Sequence, residues 1–235
     1  NITGGIDLPM QDVDIAANID KSQRDTVVEK LSNIVGSENV RCVGGNIVSF
    51  AYEVVVNKYV QVDVMLSGNI NYVAWARSGT SDDRTHKDFS AAKAVFRNML
   101  LNAVAKSTAT LNVIDGREIQ TTYIIDSDEG LFSSNRVKTK SRSRPWKTLD
   151  RKFVSSDPDE IVEILFGDNV KPGDVNTLEN MLSVVRRARK TRDHADKISN
   201  SFVRSIRELP LHDKRFTTNA VEHVVTIVQG KSTSE

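Results

Sequence analysis

Apolar and polar residues alternate near the start of the chain and then adopt a helical spacing. The alternation over residues 12–19 predicts a β-strand, because successive side chains of a strand point to opposite faces. Asp20 or Ser22 is a suitable cap for a helix that Gly36 ends. The apolar positions of this helix recur with a period of about 3.6 residues: Val27, Val28, Leu31, Ile34 and Val35.

The rest of the pattern predicts an α+β fold. Residues 46–56 and 58–66 read as two strands that form a tight hairpin around Asn57. Further elements are predicted in this order: a helix over residues 88–106, a hairpin of residues 110–114 and 119–125 that turns at Asp115 and Gly116, helices that begin at Pro158 and Pro172, and an amphipathic helix over residues 198–209. We therefore expect a first domain over residues 1–130, a basic connecting segment over residues 131–155, and a helical C-terminal domain over residues 156–235.

Three aspartates lie in the predicted strands. Asp12 and Asp14 share one strand face, and Asp63 interrupts an apolar strand. A carboxylate in such a strand is costly unless it is paired or binds a metal, and carboxylate oxygens suit Mg²⁺ and Mn²⁺. The alternatives are a solvated edge strand or an Asx turn for the Asp12 and Asp14 pair, and an ion pair with Arg41 or Arg97 for Asp63.

The order of these motifs resembles the nucleotidyltransferase superfamily that includes DNA polymerase β. The glycine pair Gly4-Gly5, the strand segment 12–15 and the segment 62–64 match its phosphate-binding turn and its three carboxylates. The chain is most similar to the phage-encoded branch, through these further segments: 46–50, 61–65, 72–76, 97–101 and 157–167. This resemblance covers about residues 4–185 and depends on the order of the motifs more than on any one of them.

The resemblance implies a fold, an activity and a site. The fold is a mixed β-sheet with flanking helices, followed by a helical region. The activity is transfer of a nucleoside monophosphate from a nucleoside triphosphate, most often ATP, to a hydroxyl of RNA, protein or a small molecule. Asp12, Asp14 and Asp63 would bind two Mg²⁺ or Mn²⁺ ions, and the amides of Gly4 and Gly5 would approach the phosphates. Lys93 and Arg97 are within the predicted helix and are candidates to reach the triphosphate.

The start of the chain departs from the family in two ways. The family places a helix and a strand before its glycine turn, so we expect a segment before residue 1. In a second register, residues 3–8 match a phage motif in which Gly5 occupies the place of the first carboxylate. Asp7 and Asp63 would then be the remaining ligands, and the site would be weakened or inactive. The first register is preferred because Pro9 fits poorly inside a strand.

Charge is distributed unevenly along the chain. Residues 1–129 contain 12 Lys and Arg against 17 Asp and Glu, whereas residues 130–215 contain 19 against 12. Such a division suits a metal site beside a surface that meets polyanions. Two basic clusters are candidate RNA or DNA contacts, and each is also explained by plain solvation: Arg136, Lys138, Lys140, Arg142 and Arg144 in the first, and Arg186, Arg187, Arg189, Lys190 and Arg192 in the second.

Composition narrows the classes of function. No apolar run is long enough to span a membrane, and the single cysteine indicates a reducing, cytoplasm-like compartment, which would be the host cytoplasm for a phage protein, or a virion. The leading hypothesis is a metal-dependent nucleotidyltransferase. The alternative is a catalytically silent protein of the same fold with a structural, virion-associated or nucleic-acid-binding role.

Overall fold

The structure is a computed structural model that describes residues 12–77, 93–114, 116–139, 146–213 and 216–230. The side chains of Asp12, Lys93 and Ala94 are outside this description. The chain divides into two compact units, residues 1–78 and 79–235. The described part contains helices and two β-sheets, which confirms the predicted α+β class.

The described residues of the first unit, 12–77, form a four-stranded sheet and two α-helices. In chain order, the elements are β1 (Asp12–Asn18), α1 (Arg24–Val35), β2 (Val40–Val43), β3 (Ile47–Val55), β4 (Lys58–Ser67) and α2 (Ile70–Arg77). The strand order in the sheet is β1-β4-β3-β2. β1 is parallel to β4, whereas the β3–β4 and β2–β3 pairs are antiparallel, so the sheet is mixed.

The predicted hairpin turn at Asn57 and the predicted helix end at Gly36 are confirmed. Asn57 joins β3 to β4 with a positive φ of 62°, a conformation that asparagine tolerates better than most residues. The carboxylate of Glu53 accepts a hydrogen bond from the amide of Asn57 at 2.7 Å, which closes the hairpin. Gly36, with a φ of 91°, ends α1 and donates its amide to the carbonyl of Ser32. Asp20 accepts from the amide of Ser22 and caps the short 3₁₀ turn that leads into α1.

The second unit combines a second sheet with a group of helices. Its elements are α3 (Lys93–Ser107), β5 (Thr110–Ile114), β6 (Arg117–Asp126), β7 (Gly130–Lys138), β8 (Trp146–Ser155), α4 (Pro158–Phe166), α5 (Leu178–Arg187), α6 (Ala195–Arg207), the short α7 (Leu209–His212) and α8 (Thr218–Val228). The sheet is an antiparallel meander in the order β5-β6-β7-β8.

Helix α3 lies at the centre of the second unit. It packs against α5, α6 and β6, and its side chains Phe96, Leu100 and Val104 are fully buried. Phe96 also meets Phe216 edge to face, with ring centroids 5.7 Å apart. Burying three such side chains stabilises the fold by about 5–9 kcal/mol in area terms. The helix predicted over residues 88–106 is confirmed for its described part, which begins at Lys93. Residues 88–92 lie outside the described residues.

The predicted domain boundary at residue 130 falls inside the second sheet. That boundary would separate β6 from β7, and the predicted connecting segment contains β7 and β8, which are central and edge strands of the same sheet. The segment was expected to be a connector because this place joins two domains in the family that the chain resembles, although the basic residues 136–144 recur with the period of two that is typical of a strand. Phe132 of β7 and Phe153 of β8 are register partners whose rings pack edge to face with centroids 5.5 Å apart.

The helical end of the chain begins as predicted but continues differently after Pro172. Asp157 caps α4, and its carboxylate accepts from the amide of Asp159. Pro172 begins a 3₁₀ turn rather than the expected helix. The helix itself begins at Leu178, because the hydroxyl of Thr177 accepts from the amide of Asn180 and provides the cap.

The turn between β6 and β7 depends on Asp126 and Gly130. Burial by itself would raise the pKa of Asp126, but the amides of Asp128 and Glu129 and the guanidinium of Arg151 outweigh it, so the pKa lies below its ordinary value. Gly130 has a φ of 124°, and a Cβ at this position would collide with the carbonyl oxygen of Ser155.

We therefore expect Gly130→Ala to destabilise the second unit. The backbone conformation alone should cost about 1–3 kcal/mol, and the collision adds to this. Gly173→Ala is the matched control, since a Cβ at Gly173 has no neighbouring heavy atom within 4 Å. Urea unfolding of both variants measures the difference. Equal stabilities would contradict the described conformation of Gly130.

Candidate metal and nucleotide site

Two of the three predicted carboxylates are direct neighbours in the first sheet. Asp14 of β1 is the register partner of Asp63 of β4, and the two strands run parallel. Neighbouring strands lie about 4.8 Å apart, and register partners point to the same face of the sheet. The fold thus brings together two half-buried carboxylates that are far apart in the sequence.

Asp12 lies on the same strand, two residues before Asp14. Its register partner is Gln61, which lies two residues before Asp63, so the backbone assigns Asp12 to the same face. Among the residues whose side chains are described, no group of three or more His, Cys, Asp or Glu is placed to hold a metal ion. Since the side chain of Asp12 is outside that set, the predicted three-carboxylate site stays a prediction.

Asp63 is oriented by two side chains that the sequence did not single out. Ser49 Oγ donates to Asp63 Oδ1 at 2.6 Å, and Gln61 Nε2 donates to the same oxygen at 2.9 Å. Ser49 is only 1% exposed, so its hydroxyl is a fixed donor inside the sheet. In the sequence, the signal for Ser49 was a hydroxyl within the apolar strand β3. Its hydrogen-bond partner could not be predicted, because that partner depends on the register between β3 and β4.

These residues form part of a line across all four strands. We define the polar row as the register partners Asp14, Asp63, Ser49 and Arg41, from β1, β4, β3 and β2. Arg41 Nη2 donates to Gln61 Oε1 at 3.0 Å, so Gln61 connects the guanidinium to the carboxylate of Asp63. Arg41, one of the two ion-pair partners considered for Asp63, thus contacts the neighbouring Gln61. The ion pair with Arg97 stays a prediction.

A groove opens beside the polar row within the first unit. Its cavity volume is about 370 Å³, and its lining includes Arg41, Ser49, Tyr59 and Gln61, together with Glu38 of the turn before β2. Two of these residues, Ser49 and Gln61, are the hydrogen-bond donors to Asp63. The groove and the carboxylate therefore share side chains.

The other predicted nucleotide contacts are distributed differently. Gly4, Gly5 and the alternative ligand Asp7 lie outside the described residues, as does the side chain of Lys93. Arg97 belongs to the second unit, where it is 1% exposed and its Nε donates to the carbonyl of Val175 at 2.7 Å. A guanidinium in that position joins α3 to the turn before α5, which is a structural role. Its predicted contact with a triphosphate stays a prediction.

Two cations of the second basic cluster cap the C-terminal ends of helices. Lys190 Nζ donates to the carbonyls of Glu163 and Ile164 at 3.0 and 3.1 Å, near the end of α4. Arg186 Nη2 donates to the carbonyl of Val228 at 2.8 Å, at the end of α8. Helix C-termini present carbonyls without intrahelical partners and a partial negative charge, which cations satisfy.

The remaining cations of the two clusters lie in varied surroundings. Arg187 and Arg189 are exposed, and Arg192 pairs with the neighbouring Asp193 at 3.4 Å. In the first cluster, Lys138 pairs with Glu118 on β6 at 3.5 Å, and Arg136 lies two residues earlier on the same face of β7. Lys140, Arg142 and Arg144 lie outside the described residues. Nucleic-acid binding by either cluster stays a prediction.

Within the described ranges, no helix combines the length and the apolar character that crossing a membrane requires. Comparisons of the chain with models of protein families, with curated proteins and with solved structures found no match. The resemblance to nucleotidyltransferases rests on the residues of the sequence and stays a prediction.

We expect Lys190→Ala to lower the free energy of unfolding by about 1 kcal/mol, because it removes a cation from the end of α4. Arg189→Ala is the matched control, since Arg189 is an exposed neighbour with no hydrogen bond to the described residues, and it should change stability by less than about 0.5 kcal/mol. Chemical denaturation distinguishes the two. Indistinguishable variants would contradict the capping role of Lys190.

Proposed function

We propose that this protein is a metal-dependent nucleotidyltransferase that moves a nucleoside monophosphate from a nucleoside triphosphate to a hydroxyl. The observation that carries the proposal is the register pairing of Asp14 with Asp63 on parallel strands. This pairing supports the expected set of metal ligands, since two of the three carboxylates lie side by side on one face of the sheet. Asp12 belongs to the same face by its place in β1.

The electrostatics of this pair favour a cation. Two unit charges about 5 Å apart repel by on the order of 3 kcal/mol at an effective dielectric constant near 20. Like charges on neighbouring strand positions are destabilising, and a metal ion bound by both carboxylates would offset this repulsion. Oxygen-only ligands favour Mg²⁺ or Mn²⁺ over softer metals.

The chain's own residues then have separate tasks. Ser49 and Gln61 hold Oδ1 of Asp63, which fixes the orientation of the carboxylate. By the resemblance to nucleotidyltransferases, Asp63 would help to remove the proton of the acceptor hydroxyl as the oxygen attacks the α-phosphorus and pyrophosphate leaves. When bound by Asp12, Asp14 and Asp63, Mg²⁺ or Mn²⁺ would lower the pKa of the hydroxyl and neutralise the leaving phosphates.

We expect Asp63→Asn and Asp14→Asn each to reduce the transfer of a labelled nucleoside monophosphate to the acceptor by on the order of 10²- to 10⁴-fold. Each replacement removes a negative charge and keeps the shape of the side chain. The assay incubates the chain with Mg²⁺ or Mn²⁺ and each of the four α-labelled ribonucleoside triphosphates, and it follows both incorporation into candidate acceptors and release of pyrophosphate. Glu29→Gln, on exposed α1, is the matched control and should retain activity.

Calorimetric titration with Mn²⁺ and then with nucleotide distinguishes the enzyme from a silent relative. The enzyme should bind both, and Asp63→Asn should weaken the binding of Mn²⁺. A wild-type chain that binds neither ligand and releases no pyrophosphate would overturn the proposal. Replacing Asp12 and Asp7 separately with Asn tests the register, because only the first change should abolish transfer if Asp12 and Asp14 are the strand pair.

A further inference from the structure

Strand β5 forms one open edge of the second sheet. Among the described strands it pairs with β6 alone, and all five of its residues are exposed. An edge strand presents backbone N–H and C=O groups that can pair with another strand. We infer that β5 is a dimerisation surface, on which β5 of a second copy of this chain pairs in the antiparallel direction about a two-fold axis at Asn112. The second sheets of the two copies then become continuous.

The composition of β5 favours pairing at this edge. Of the four edge strands in the two described sheets, β1 contains two aspartates, β2 contains an arginine and β8 contains four charged residues. β5 is the one edge strand of the described sheets without a charge. It also contains no proline, and its register with β6 is continuous. Charges, prolines and bulges are the usual protection of an edge strand, so β5 is open to a further strand.

Two-fold symmetry matches β5 to itself residue by residue. When Asn112 lies opposite Asn112 of the second copy, Leu111 lies opposite Val113, and Thr110 lies opposite Ile114. No charged side chain faces another in this register. The amide of asparagine both donates and accepts hydrogen bonds, so Asn112 can pair with its own copy at the axis. This self-complementarity is what an isologous dimer requires, and it identifies a second copy as the occupant.

The surroundings of β5 form an apolar centre with a polar rim. Leu111 and Val113 share one face of the sheet and are 59% and 71% exposed, and pairing would join them to the same two residues of the second copy. Their register partners on β6 are Gln120 and Glu118, and Glu118 pairs with Lys138 at 3.5 Å. Because this ion pair balances the charge beside the apolar cluster, the two copies do not repel each other there. An apolar centre within a polar rim is the usual anatomy of a protein interface.

The length of β5 predicts a reversible dimer. One pair of five-residue strands is a contact at the low end of interface sizes, where complexes are weak. We therefore expect a monomer–dimer equilibrium in the micromolar range. The inference does not depend on the proposed function, because β5 belongs to the second unit and the paired carboxylates belong to the first.

Sedimentation equilibrium of the full chain at about 1–500 µM tests the inference. We expect wild type to form dimers reversibly, and Leu111→Lys to raise the Kd for dimerisation about tenfold or more, because it sets two ammonium groups against apolar side chains. Leu149→Lys is the matched control, since Leu149 is 53% exposed on the opposite edge strand, β8. This control should leave the Kd within about twofold of wild type. A wild type that stays monomeric throughout, or equal effects of the two lysines, would overturn the inference.

Disulfide cross-linking tests the register and remains decisive if Leu111→Lys fails to fold. In a Cys42→Ser chain, which has lost its one native thiol, Asn112→Cys places two sulfurs opposite each other. Register partners in antiparallel strands have Cα atoms about 4.5–5.5 Å apart, within the range of a disulfide.

Ile114→Cys in the same Cys42→Ser chain is the control for cross-linking. It lies on the same face of β5, but the pairing would separate its two Cα atoms by about 14 Å, which is beyond the reach of a disulfide. After oxidation, non-reducing electrophoresis should show a covalent dimer for Asn112→Cys and monomer for Ile114→Cys. No covalent dimer at position 112, or an equal amount at position 114, would overturn the two-fold pairing.

Discussion

The parallel, in-register pairing of β1 with β4 is the constraint on which the candidate site depends. It places Asp14 beside Asp63, and it is fixed by the residues on the other face, where Val13 pairs with Val62 and Ile15 with Val64. A shift of one residue would turn these apolar side chains to the wrong face of the sheet. Apolar contacts on one side of the sheet thus hold the carboxylates together on the other.

The polar row lies next to an apolar row on the same face. The adjacent set of register partners is Ala16, Met65 and Ile47, of which Ala16 and Met65 are almost fully buried. Along β1 and β4, this face therefore changes from buried apolar side chains to carboxylates within two residues. Buried polar groups need partners, and Ser49 meets this requirement by donating to Asp63. The sheet provides a rigid support for charges that do not stabilise it.

Periodicity in the sequence was sufficient to predict the local elements but not their partners. The alternation of β1 and β4 and the turn at Asn57 were visible in the sequence, because each depends on neighbouring residues. The contacts of Ser49 and Gln61 with Asp63 depend on strand pairing across the sheet, which alternation alone does not specify. The placement of Asp12 and Asp14 on one face follows from the strand period, whereas their proximity to Asp63 follows only from the parallel register.

Cations were the hardest residues to interpret from sequence. Lys190 donates to carbonyls near the end of α4 that lie 26 and 27 positions earlier in the chain, and Arg186 donates to the last carbonyl of α8, 42 positions later. A basic cluster in the sequence looks the same whether its members are solvated, bind phosphate or satisfy carbonyls. Arg97 illustrates the same difficulty, because it lies off the apolar stripe of its helix in the sequence and yet is 1% exposed, with its Nε donating to the carbonyl of Val175.

The polar row is itself polarised, with carboxylates on β1 and β4 and a guanidinium on β2. Three strand spacings, about 14 Å, separate its two ends. In the proposed function this division would separate two kinds of anion site, because carboxylates require a metal ion to accept a phosphate, whereas a guanidinium accepts one directly. Since Gln61 contacts both Arg41 and Asp63, the two ends are joined by hydrogen bonds rather than only by the field between them. A change at the guanidinium of Arg41 can therefore reach the carboxylate of Asp63 through the side chain of Gln61.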